Sequence, residues 1–165
     1  MILPFSVRLN NQETHFPFKI WNGLFRYQIC TISECLEYQS QHFSRFKSHW
    51  SEPTTTLFED NIKIHTIRYD LIARYKPGCK LHLFINSRTK NAFRFAPVLT
   101  CTSTQKIEIK YTDSSPHVFV DDRRLMCFEI KALAKNDGFP SEQEFFNYFK
   151  EDFSGKIVHW TSKKY

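Results

Sequence analysis

Apolar positions along the chain change period twice. Residues 18–50 contain no proline and place Ile20, Leu24, Tyr27, Ile32, Leu36 and Phe43 at loosely helical spacing, which predicts one or two helices. "SEPTTTLFEDN" then breaks the pattern, and Pro53 with three threonines reads as a loop. Beyond it come short β-rich runs, "KIHTIR", "KLHLFIN", "RFAPVLTCTSTQKIEIKY" and "HVFV". "KPG", "SRTKN", the polar residues 113–116 and "DDRR" separate them, the rhythm of a small twisted sheet or barrel. Helical spacing returns in "MCFEIKALAKNDGF", with Gly138 as a C-terminal cap. Ser141 and Glu144 form a capping box that opens "SEQEFFNYFKEDF", and "GKIVHW" closes the chain as a strand. The class is α+β, with helices packed on a barrel and no internal repeat.

Composition refines this reading. The chain has 165 residues, is 41% hydrophobic and 24% charged, and suits one globular core in which 17 phenylalanines supply much of the bulk. No run has the roughly 18 apolar residues of a membrane span, and the start "MILPFSVRLNNQ" lacks a basic, then long apolar, leader, so a cytoplasmic protein without a membrane partner is expected. Five cysteines without a C-x-x-C pair suggest reduced, mostly buried thiols. Seven histidines without an H-x-x-x-H or H-E-x-x-H pattern give no metal site, and no cofactor is expected.

Locating the net charge of +6 adds a functional signal. Residues 61–113 carry ten Lys/Arg against three Asp/Glu, while the flanking thirds are nearly balanced. Clustered cations gain from counterion release on a phosphate backbone, so this stretch is a candidate RNA or nucleotide surface; solvated strand faces use Lys and Arg in the same density. Its densest part is "KIHTIRYD", residues 63–70, where only Ile64 and Ile67 are apolar. Arg68, Arg74, Arg88 and Arg94 are the candidate phosphate or base contacts, and His65, able to titrate near neutral pH, is a candidate ligand contact.

"KIHTIR", "RYKPG", "QKIEIKY", "NDGFPSEQEFFNYF" and "GKIVHW", in that order, resemble the ASCH domain of the PUA-like superfamily from about residue 61 to the end. The resemblance implies a PUA-like β-barrel over 61–165 flanked by two helices near 125–152, with residues 1–60 as an N-terminal helical extension packed on it. It also implies a cleft that binds RNA or a modified nucleoside. Lys63, Thr66 and Arg68 match the K-x-x-T-x-R motif of the acetylcytidine amidohydrolases of this group, and Glu108 matches their later-strand glutamate. By that likeness Thr66 would be the nucleophile, a desolvated Lys63 the base and Glu108 the acid in deacylation of an N-acetylated cytosine nucleoside. Residues three apart on a regular strand face opposite sides, so Lys63 and Thr66 converge only if the segment bends. Three readings follow: an RNA- or nucleoside-binding protein, an amidohydrolase, and a protein-interaction scaffold acting through the N-terminal helices.

Overall fold

A computed structural model describes residues 1–9, 11–48, 61–70, 72–112 and 115–165. The loop expected over 51–61 lies, apart from Asn61, outside the described residues. The fold is α+β, with four helices and three separate sheets among the described residues, none closed into the barrel that was expected. The chain divides into two compact units. The first contains residues 1–63 and 80–99, the second 64–79 and 100–165. The break therefore falls inside "KIHTIR", between Lys63 and Ile64, and "KLHLFI", expected in the barrel, belongs to the first unit.

In the first unit β1 (Ile2–Phe5) runs parallel to β5 (Lys80–Ile85), with Leu3 opposite Leu83 and Phe5 opposite Ile85. β6 (Phe93–Arg94) continues the sheet antiparallel to β5. A parallel pair needs a long connection, and helices α1 (Phe16–Arg26) and α2 (Ile32–Phe46) lie within it. Pro17 in the first turn of α1 forgoes a donor that would have no helical partner there. Phe16, Ile20, Trp21 and Leu24 of α1 are buried. The Trp21 indole donates to the Phe95 carbonyl at 2.9 Å, and Phe5 meets Phe16 and Phe95 edge-on. Thr31 and Glu34 close a reciprocal capping box on α2. A short hairpin, β2 (Arg8–Leu9) with β3 (Gln12–Glu13), completes the unit.

The second unit holds an antiparallel sheet in the order β10 (Arg123–Arg124), β9 (Ser115–Val120), β8 (Ser103–Thr112), β11 (Phe153–His159), β4 (His65–Arg68). Its inner face carries Ile67, Ile157, Ile107, Ile109 and Val118. Against these pack Ile130 and Leu133 of α3 (Cys127–Asn136), Phe145 of α4 (Glu142–Tyr148), and Phe139 and Phe149 beside them. Gly138, at φ 88°, ends α3 as expected: its N–H donates to the Lys135 carbonyl and that of Phe139 to Ala134, the paired bonds of a Schellman cap. Only half of the expected Ser141–Glu144 box forms. Ser141 accepts from the Glu144 N–H, while the Glu144 carboxylate accepts from Asn147. The carbonyl of Asn136, at the end of α3, accepts from the Ile64 N–H at 2.9 Å and ties the helix to the start of β4.

"KPG" forms the turn it predicts. The Cys79 N–H donates to the Lys76 carbonyl at 3.1 Å, with Pro77 and then Gly78, at φ 85°, in the central positions of a type II turn. Gly78 also begins a bulge. Its N–H donates to the Cys101 carbonyl at 2.8 Å, and the Cys101 N–H donates to the Cys79 carbonyl at 2.9 Å, so two residues face one. β7 (Leu99–Thr100) leads into this pairing.

Gly155 of β11 has a steric reason to be glycine. A Cβ there would lie 2.5 Å from the Arg68 carbonyl oxygen and 2.7 Å from the Phe153 ring. Backbone cannot yield as a flexible side chain can, so Gly155→Ala is expected to push β4 off β11 and lower stability by roughly 1–3 kcal/mol. Urea unfolding monitored by circular dichroism measures this; an unchanged midpoint would show that the strands absorb the methyl group without loss.

Candidate nucleic-acid interface

Strand alternation determines what "KIHTIR" displays. On β4, Ile67 faces the helices, so His65 shares that side, and Thr66 and Arg68 face the other. The register carries these faces across the sheet: Arg68 lies opposite Lys156, Thr66 opposite Val158, and His65 opposite His159.

Arg68 ends the strand. Burial pulls its guanidinium below its ordinary pKa, and Tyr75, Asp137 and Tyr148 are the groups whose charge acts against that effect. Beyond it the chain turns around Asp70, whose carboxylate is fully enclosed. Asp70 accepts the Arg74 N–H at 2.9 Å and the Tyr75 N–H at 3.2 Å. It also pairs with the Lys156 ammonium at 3.5 Å and the Arg74 guanidinium at 3.6 Å. Burial pushes the Asp70 pKa up, but the two backbone bonds and Lys156 outweigh it and hold the group below the usual carboxylate range. This one side chain therefore shapes the 70–75 turn. Tyr75 is buried, its own phenol pushed up by burial, and Arg74 lies 5.7 Å from the Tyr75 ring centre. Lys156 reaches the Tyr75 carbonyl at 3.5 Å. Tyr69 and Tyr148 are exposed, and Tyr69 lies 6.5 Å from the Phe153 ring.

The other predicted residues have different settings. Lys63 belongs to the first unit and is buried, with its ammonium 4.7 Å from the centre of Phe16 and 5.8 Å from that of Phe5. Arg88 and Arg94 are in the same unit, Arg88 in a left-handed turn at φ 65° and Arg94 on β6, donating to the Tyr38 hydroxyl at 3.4 Å. The ten cations of the middle third are thus divided five and five between the units. Thr66 is buried in mid-strand.

Glu108 does not join Thr66. Thr66 lies opposite Val158 and Val158 opposite Thr104, while Glu108 is four residues further along β8. Two strand spacings and four residue rises separate their Cα atoms by roughly 16 Å. Glu108 instead pairs with Lys106 at 3.2 Å and Lys110 at 3.4 Å, and its hydrogen bond to Lys106 holds it ionised at lower pH than usual. An ionised, ion-paired carboxylate is poorly suited to donate a proton.

His65 corrects the expectation of a ligand contact. It is fully buried on the face opposite Arg68, its Nδ1 3.4 Å from the Tyr165 hydroxyl and its ring 5.5 Å from that of His159. Tyr165 is held by Gln105, which accepts from its N–H and donates to its carbonyl, and by Asn136, which donates to its hydroxyl. Both ring nitrogens of His159 and the Ser103 hydroxyl have no hydrogen-bond partner among the described residues.

Asp70, Tyr75, Lys156 and Tyr148 escape single-sequence reasoning because only the turn, the antiparallel register and the placement of α4 bring them to Arg68. The described residues include no group of three or more His, Cys, Asp or Glu able to hold a metal ion, and none of their helices is long and apolar enough to cross a membrane.

Comparisons with protein families, with curated proteins and with solved structures find no match to this chain.

The settings of Asp70 and His159 both make stability fall as the pH is lowered, each over its own range. Asp70→Asn places an NH2 against a backbone donor and leaves Lys156 without its counter-charge, an expected cost of about 2–4 kcal/mol near neutral pH. Because the folded pKa of Asp70 lies below the unfolded one, its contribution is present above the unfolded value, near 4, and is lost as pH falls through the folded value. Unfolding curves of wild type and variant should therefore converge in acid; parallel curves down to the lowest pH would dismiss the role. His159 is held neutral chiefly by burial, its pKa lowered from 6.5 to about 4. Unfolded chains take up that proton first, so stability should fall between pH 6.5 and about 4 by on the order of 3 kcal/mol. His159→Phe should flatten the stability profile across that window, which thermal melts at half-unit pH steps would reveal.

Proposed function

We propose that the second unit binds single-stranded RNA or a nucleotide at the end of β4, where Arg68 is the principal anion contact. The observation that carries this is the setting of Arg68: a guanidinium partly withdrawn from water, at a strand end where Asp70 folds the next turn beside it. A desolvated cation gains more from an arriving phosphate than a solvated one does, because less water must be displaced and the local dielectric is lower. Tyr69 and Tyr148 present exposed rings, the surfaces on which unstacked bases pack, and half-exposed Arg74 adds a second cation. The likeness of "KIHTIR", "RYKPG" and "NDGF" to ASCH sequences supports the same reading.

Deacylation by Lys63, Thr66 and Glu108 gains no comparable support, since the register leaves Glu108 distant from Thr66 and ion-paired. The scaffold reading has one observation on its side, the exposed Ile32, Leu36 and Phe43 of α2, but nothing among the described residues identifies a partner for them.

Fluorescence anisotropy with a labelled single-stranded RNA, measured across a salt series, tests the proposal. Arg68→Ala is expected to weaken binding about tenfold and Arg74→Ala two- to fivefold, each lowering the log-log salt slope by roughly one for every phosphate it no longer engages. Tyr69→Ala should weaken affinity with little change in slope, as removal of a stacking ring does. Wild-type binding too weak to distinguish from that of Arg68→Ala would refute the assignment. Incubation with N-acetylcytidine serves as a second arm: released cytidine that survives Glu108→Ala would restore a hydrolase using a different acid.

A further inference from the structure

Cys79 and Cys101 lie near Tyr75 and Lys156 of the β4 site but take no part in the contacts described there. They flank the excursion of residues 80–99 into the first unit, one just before the chain leaves and the other just after it returns. The bulge places them opposite one another: the Cys101 N–H donates to the Cys79 carbonyl at 2.9 Å, and the Cys101 carbonyl accepts from Gly78, which has no side chain to intervene. Residues paired in this way have Cα atoms about 5.5 Å apart, within the disulfide range, and the bulge turns both side chains to one side. Both thiols are free. Cys101 is buried and its thiol donates to the Ser103 carbonyl at 3.4 Å, whereas Cys79 is half-exposed. The other close pair, Cys30 and Cys35, lacks this arrangement, because residues five apart around a helix start have no facing backbone bond.

We propose that Cys79 and Cys101 form a reversible redox site, in which a peroxide oxidises the dithiol to a disulfide that clamps the neck of the 80–99 excursion. The half-exposed Cys79 thiol gives its proton to solvent and the thiolate attacks one oxygen of hydrogen peroxide; the O–O bond breaks, Cys79 becomes a sulfenic acid, and the second oxygen leaves as hydroxide, which takes a proton from solvent to become water. The Cys101 thiol then attacks the Cys79 sulfur, giving up its proton; the S–O bond breaks, a second water departs and the disulfide remains. Overall two thiols and one peroxide give one disulfide and two waters, and an external dithiol reverses the change. Cys79 makes the first attack because it is the thiol that solvent reaches; burial, with the Cys79 thiol and its hydrogen bond as further causes and the Ser103 carbonyl and Lys156 acting against them, raises Cys101 to about 11, which makes the second step faster at higher pH.

The test exposes purified full-length protein to a small excess of hydrogen peroxide, caps remaining thiols with N-ethylmaleimide, and maps the digest by mass spectrometry with and without dithiothreitol. A Cys79–Cys101 linked peptide that dithiothreitol abolishes is expected, forming several-fold faster at pH 8.5 than at pH 7. The oxidised protein should melt on the order of 5 °C higher, since the bond closes a loop of about 23 residues. Cys79→Ser should remove the linked peptide, and Cys30→Ser should leave it unchanged. Wild-type measurements alone decide the matter if Cys79→Ser folds poorly. Irreversible oxidation of Cys79 with Cys101 still capped by N-ethylmaleimide, or crosslinks only between other cysteines, would overturn the proposal.

Discussion

The pairing of β4 with β11 is the constraint on which the candidate site depends. A strand offers two faces and no more, and the register His65–His159, Thr66–Val158, Ile67–Ile157, Arg68–Lys156 allots each residue of the motif to one of them. Ile67 and Ile157 enter the helix-covered core, so the histidines go with them and Arg68 with Lys156 goes to the opposite face. A slip of one residue would turn the guanidinium in among the phenylalanines and take the isoleucines out of the helix-covered core. The bare Gly155 permits the close approach of the two strands, and the bond from Ile64 to the end of α3 holds the start of β4 in that register.

Asp70 extends the same constraint beyond the strand. A carboxylate enclosed by protein must have its oxygens satisfied, and two successive backbone donors, Arg74 and Tyr75, can reach it only if the intervening chain turns tightly. Lys156 then carries a double role, since its position opposite Arg68 is fixed by the sheet and its ammonium is fixed by Asp70. With that charge engaged, two neighbouring cations on adjacent strands do not simply repel, because a buried anion lies close to one of them.

Sequence pattern revealed what local chemistry determines. Helices α1 to α4, the "KPG" turn and the Gly138 cap were legible because 3.6-residue spacing and left-handed glycine positions are written in consecutive residues. "ILPF" as a strand was not. Its partner β5 begins at Lys80, and four residues containing a proline carry too little alternation to announce a parallel pair. The division into two interleaved units was also hidden, since neither composition nor period changes between Lys63 and Ile64 or between Cys79 and Lys80. At the site, Arg68 stood out by its motif, but Asp70 was an ordinary acid after a strand until the turn folded over it. His65 misled for a related reason: titratability can be read from the residue type, whereas the face it occupies requires a register.

The polar density of residues 63–70 therefore has several physical causes. Lys63 lies against two aromatic rings of the first unit, His65 joins a buried aromatic and histidine cluster, Asp70 organises a turn, and only Arg68 combines positive charge with a place at the strand end on the face turned away from the helices. Arginine suits that position for a specific reason. Withdrawal from water lowers the pKa of any cation, and a lysine, whose ammonium is strongly hydrated and readily loses its proton when buried, would be driven toward neutrality there. A guanidinium starts from a far higher pKa and is more weakly hydrated, so it keeps its charge at a smaller desolvation cost, and it can offer two parallel donors to one phosphate. Permanent charge under partial desolvation is what an anion contact needs, and position 68 is where the strand, the turn and the side-chain chemistry supply it together.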